Sequence, residues 1–125
     1  MPARGEGLGA DITIATFKVF PTTTDNALDK NSVKYIRVTN LDNSVSATLS
    51  LQIDEDEDSG GADESVSIYL NPGESFMMFG AKDYIAVQDT NATIELTLHD
   101  LESILVDTGD SACSLEVVVA STVST

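Results

Sequence analysis

The run from Val66 to Phe79 constrains the fold more than any other part of the chain. Val66, Ile68 and Leu70 alternate with Ser65, Ser67 and Tyr69. A period of two places alternate side chains on opposite faces, so this is a strand with one buried face. Asn71-Pro72-Gly73-Glu74 then breaks it. Proline presets φ for the second position of a turn and glycine supplies positive φ at the third, which predicts a type II turn. From Ser75 to Phe79 a strand resumes with both faces apolar, Phe76 and Met78 on one and Met77 and Phe79 on the other. Such a strand is either covered on both sides within its own fold or covers a neighbouring subunit on one side.

The same punctuation recurs along the chain. Asp11 to Phe20 reads as a strand whose alternation changes phase around Ala15-Thr16, the mark of a bulge. Val33 to Thr39 and Ala47 to Ile53 alternate cleanly on either side of the turn chemistry in Asn40-Leu41-Asp42-Asn43-Ser44. Tyr84 to Gln88, Thr93 to Leu98, Ser103 to Val106 and Leu115 to Ala120 read as further strands, the last of them central because both of its faces are apolar. Only Thr97 to Val106 has apolar spacing that could hold a helical turn, through Leu98, Leu101, Ile104 and Leu105. About nine short strands at roughly 8–12-residue spacing predict an all-β fold, a two-sheet antiparallel β-sandwich in jelly-roll or immunoglobulin-like order. Residues 1–10, with Gly5, Gly7 and Gly9, read as a flexible N-terminal arm, and 11–125 as a single β-sandwich domain. A chain of this length buries roughly two-thirds of its unfolded surface, enough for a core without staples.

Charge narrows the partners. Six basic residues face 21 acidic ones, for a net charge of -15. After Lys82 no basic residue follows. Nucleic acid is a poor partner because binding it requires a basic face that displaces counterions, and anionic membrane is poor for the same reason. Cys113 is the sole cysteine, so no disulfide framework exists, and its setting before an apolar strand predicts a small, buried residue. The absence of a signal-like apolar core near Met1 predicts a protein made and folded in the cytoplasm.

Few constellations carry chemistry. Asp54-Glu55-Asp56-Glu57-Asp58 opens an acidic loop that runs to Glu64. Asp54, Asp56 and Asp58 share the spacing of calcium loops, in which hard cations collect several oxygens from a tight turn. Ser59 stands where such loops carry glycine, and Ser65 where they carry a bidentate glutamate. A flexible, solvated hairpin tip is the plainer reading, with calcium the one cofactor in view. His99, the only histidine, has no second metal ligand and no marked nucleophile beside it, so no catalytic residue is assigned and no enzyme is expected. Tyr35, Tyr69 and Tyr84 suit the half-buried faces of strands. One of them beside the acidic loop would make the alternative to a structural role, a calcium-assisted carbohydrate-binding module.

Three stretches carry a resemblance: Tyr35-Ile36-Arg37-Val38-Thr39-Asn40, Leu70-Asn71-Pro72-Gly73-Glu74-Ser75-Phe76 and Lys82-Asp83-Tyr84-Ile85-Ala86-Val87. Together they resemble small virion structural proteins of tailed bacteriophages, in which a strand with I-x-V-x-N precedes an L-x-P-G-E-S turn and a D-x-I-x-V stretch. The resemblance is confined to the middle of the chain. It implies a non-enzymatic β-sandwich present in many copies on the virion, self-associating and bound to the major capsid protein or other virion proteins. Capsid decoration (cement) proteins are the members it points to; no motif separates that role from a head-tail connector or tail component. The candidate interface residues are Arg4 and Leu8 in the arm, Phe17 and Phe20, and the apolar face of Met77 and Phe79.

Overall fold

The computed structural model describes residues 2–5, 12–18, 27–54, 64–87, 94–109 and 111–122. Nine strands run in order: β1 (Pro2–Gly5), β2 (Ile12–Lys18), β3 (Leu28–Asp29), β4 (Val33–Asn40), β5 (Ala47–Asp54), β6 (Glu64–Leu70), β7 (Ser75–Met78), β8 (Asp100–Asp107) and β9 (Cys113–Ser121). They form two sheets, ordered β1-β9-β4-β7 and β3-β2-β8-β5-β6. None of the described residues is helical. The fold is therefore an all-β sandwich. Leaving aside the two-residue β3, four antiparallel pairs are nested, β1 with β9, β2 with β8, β4 with β7 and β5 with β6, and the antiparallel pairs β4–β9 and β5–β8 join them into the two sheets. First pairs with last and each inner pair sits within the next, which is the rolled double hairpin of a jelly roll.

The alternating strands fill the space between the sheets. Ile36 and Val38 of β4, Leu49, Leu51 and Ile53 of β5, Leu101, Ile104 and Val106 of β8, and Leu115 and Val117 of β9 are buried. Phe17 is completely buried among them, a burial worth about 1.5–3 kcal/mol for a side chain of this class.

Register shifts explain the out-of-phase apolar spacings. On β2, Thr13 faces Leu105 and Ala15 faces Ile104, which leaves Ile14 as the extra residue. Ile14 and Phe17, three apart, consequently both point inward. On β8, Gln52 opposes Ser103 and Ile53 opposes Leu101, so Glu102 is extra and Leu101 and Ile104 share the core. The helical turn read from that spacing is this bulge; Asp100–Asp107 is a strand throughout.

Two further differences from expectation lie at the N-terminal segment and after β7. Pro2–Gly5, inside the segment expected to be a flexible arm, pairs with Glu116 to Cys113 along the otherwise open edge of β9. Proline tolerates this place because it is the first residue of an edge strand. Residues 84–87 and 94–98 are not strands. Their one ladder element is the bridge between Ile85 and His99. The Asn71–Glu74 turn matches expectation: Gly73 has φ +83°, and the Glu74 N–H donates to the Asn71 carbonyl at 3.0 Å.

Each end of the sandwich is tied off by one buried side chain. At the end where β4 finishes, Asn40 is fully buried. Its Nδ2 donates to the carbonyls of Val45 (2.8 Å) and Leu70 (3.2 Å), and its Oδ1 accepts from the Asp42 N–H (3.0 Å) and from Cys113 Sγ (3.1 Å). At the opposite end, Asp100 Oδ2 accepts from Lys30 Nζ at 3.1 Å and Lys82 Nζ at 3.3 Å, while Oδ1 accepts from the Asp83 N–H at 2.9 Å. Asp83 adopts φ +50°, a left-handed turn conformation that aspartate tolerates better than most side chains.

Candidate functional site: an apolar patch on the four-stranded sheet

The outer face of the β1-β9-β4-β7 sheet is built from residues that alternate with the core positions. Register lines up Arg37 of β4 between Val118 of β9 and Met77 of β7, and Tyr35 beside Ala120. Phe79, just past β7, brings its ring to 6.0 Å from that of Tyr35, tilted by 49°. Phe79 is 60% exposed, Met77 45% and Tyr84 40%. Tyr84 folds back over Gly80, where an added Cβ would lie 2.8 Å from its ring, and its hydroxyl oxygen accepts from the Phe79 N–H at 3.1 Å. The loop after β7 is thus tied back by Tyr84, while Phe79 packs beside Tyr35.

Polar pairs cross the same face without interrupting it. Arg37 Nη2 donates to Glu116 Oε1 at 2.9 Å, and the hydroxyls of Thr39 and Ser75 are 2.8 Å apart. The Nε of Arg37 is buried and has no acceptor. β7 is the outermost strand of the sheet, so its far edge is open. Aromatic rings, a thioether and one ion pair on a rigid sheet can bury apolar area against a protein surface. Aromatic residues, methionine and arginine are the types enriched at such contacts.

The expected site residues scatter. Met77 and Phe79 lie on this patch. Phe17 does not: it belongs to the core, because the bulge at Ile14 turns it inward, and it cannot face another chain. The backbone of Arg4 pairs with Ser114 on β9. Leu8, Phe20, Asp56 and Asp58 lie outside the described residues. Asp54 is buried at the end of β5, opposite Asp100 in register. Among the described residues, no group of three or more His, Cys, Asp or Glu side chains is arranged to hold a metal ion. Tyr69 is exposed at the β6 end remote from Asp54 and faces an open cavity of about 290 Å³ lined by Ser46, Thr48, Asp107, Thr108 and Gly109. Asp54 and Glu64, the described ends of the acidic loop, lie at the other end of the β5–β6 hairpin from this tyrosine.

Tyr35 and Arg37 were legible as an outward-facing alternation, although nothing local marked them as partners of Phe79. The basic residues are largely committed within the fold: Lys18 pairs with Glu102, Lys30 and Lys82 with Asp100, and Arg37 with Glu116. Cys113 is buried, and that burial pushes its thiol above the ordinary range, as does the nearby charge of Asp42. No described helix is long and apolar enough to cross a membrane. Comparison with protein-family models, characterised proteins and solved structures gives no match for the chain.

Proposed function

We propose that the chain is a non-enzymatic virion structural protein of a tailed bacteriophage, a capsid decoration protein that works by contact with shell proteins and with further copies of itself. The patch of Tyr35, Met77 and Phe79 carries this reading, because an apolar aromatic surface on the outside of a strongly anionic domain suits burial against another protein. The resemblance through Leu70-Asn71-Pro72-Gly73-Glu74-Ser75-Phe76 supports it. The jelly roll is compatible with it too, since capsid and lectin domains both use that fold and function is decided by the site. On this reading the protein is made in the host cytoplasm and resides on the virion.

The test is co-sedimentation of the purified chain with assembled shells of its phage. The native chain travels with the shells, and the double substitution Met77→Asp and Phe79→Asp releases it without changing its melting temperature. A native chain that stays at the top of the gradient overturns the proposal. A second reading, carbohydrate binding, is favoured by the exposed Tyr69 beside Asp107 and the hydroxyls of Ser46, Thr48 and Thr108. It predicts sugar-dependent shifts of the Tyr69 resonances in NMR titration, with no requirement for calcium.

A further inference from the structure

β6 is the outermost strand of the five-stranded sheet, and among the described strands it pairs with β5 alone; at its end the Leu70 carbonyl also accepts from Asn40 Nδ2. It is seven residues long, and from Ser65 to Leu70 it carries no charge, proline or glycine. Edge strands of this kind are the ones to which further strands add, since lysines, prolines and bulges are the usual protection. The other outer strands offer less: β1 and β7 have four residues each and β3 has two. The core is also thin here. Val66 and Ile68 pack against it but remain partly exposed, whereas their β5 neighbours Leu49 and Leu51 are buried.

The opposite deficiency lies at Ile94–Leu98. Ile94, Leu96 and Leu98 alternate with Glu95 and Thr97, the pattern of a strand with one apolar face. Yet the segment belongs to no sheet, with Ile94 82% and Leu96 86% exposed. The Thr97 N–H donates to its neighbour Glu95 Oε1 at 3.0 Å rather than to another strand. The bridge between Ile85 and His99 anchors the base of the segment to the body of the fold.

We infer that Ile94–Leu98 of one copy adds as an extra strand to the open edge of β6 in a second copy. Docked there, Ile94, Leu96 and Leu98 continue the inward row of Val66, Ile68 and Leu70, and Glu95 and Thr97 join the outward row of Ser65, Ser67 and Tyr69. Charge permits this contact. Copies carrying -15 repel one another, and this pair of segments brings one charge, Glu95, to an uncharged stretch. Main-chain hydrogen bonds supply the attraction and the alternating side chains the register. Each copy offers one edge and one strand, so the contact either closes as a ring, with a reciprocal two-fold dimer as its smallest form, or runs on as a chain. It uses neither Met77 nor Phe79, and its failure is distinguishable from failure of the shell-binding reading.

The test is sedimentation velocity of the full-length chain over a concentration series at physiological salt, with hydrogen exchange on the same samples. The native chain forms dimers or larger species, and the amides of Ser65–Leu70 and Ile94–Leu98 gain protection as concentration rises. Ile94→Asp with Leu96→Asp abolishes every species above monomer. So does whichever of Ser67→Pro and Ile68→Pro points its nitrogen away from β5 and keeps the native melting temperature. Mixing the segment variant with the edge variant restores a dimer and nothing larger, because one intact edge then meets one intact strand. A native chain that stays monomeric at its highest soluble concentration overturns the inference. So does association without protection of those amides, or association that survives Ile94→Asp with Leu96→Asp.

Discussion

At the end of the sandwich where β4 finishes, a neutral amide gathers the loops; at the other end, a carboxylate between two lysines does. Asn40 holds the 41–46 loop, β6 and β9 through hydrogen bonds to Val45, Leu70, Asp42 and Cys113. Asp100 holds the turn at Lys30 and the loop at Lys82–Asp83 through charge. Both are nearly inaccessible to water. The difference is in what an error costs. A neutral group left without its partner loses hydrogen bonds, whereas a buried ion left without its counter-charge forfeits its whole desolvation.

This contrast can be broken by substitution. Asp100→Ala leaves Lys30 buried without its counter-ion, and the expected loss is about 3–5 kcal/mol, read from the midpoint of urea unfolding. Asn40→Ala strips partners from two carbonyls, one N–H and one thiol. The expected loss is about 1–3 kcal/mol by the same measurement. If Asn40→Ala proves the costlier of the two, the ranking of charge over neutral hydrogen bonding in this fold is wrong.

The smallest effect lies on the Asn40 side and sharpens the contrast through pH. Asp42 Oδ2 accepts from the backbone N–H groups of Ser44 (3.0 Å) and Val45 (2.8 Å), which holds its carboxyl below the ordinary carboxylate range. A depressed folded-state value means that the stabilisation is present above the unfolded-state pKa and disappears as pH falls through the folded one. The native chain is therefore more stable than Asp42→Asn at neutral pH, and the gap narrows on acidification. Paired thermal melts along a pH series measure it; a gap independent of pH would show that Asp42 acts as a neutral acceptor.

Much of the fold was legible because alternation reports which face of a strand is dry. Val33–Asn40, Ala47–Asp54 and Glu64–Leu70 declared themselves in that way, and Pro72-Gly73 fixed the turn between β6 and β7. Where pattern misled, the cause was a missing partner. Leu98, Leu101, Ile104 and Leu105 mimic a helical stripe because Glu102 is an extra residue opposite β5, which only the paired register reveals. Pro2–Gly5 has no strand preference of its own and is ordered by the edge of β9. Ile94–Leu98 has the pattern of a strand but pairs with no strand among the described residues. The patch was half legible: Met77 and Phe79 stood out, but their meeting with Tyr35 depends on β7 lying beside β4, and their exposure on β7 being outermost. Phe17 was misplaced at a surface for the same reason, because one inserted residue reverses the direction of a side chain.

The nested pairing of β1 with β9 has a consequence for how fast the roll can form. Pro2 and Glu116 are neighbours in space although they are far apart in sequence. Closing the roll joins these distant segments, and its folding rate is set by the chain entropy lost in doing so.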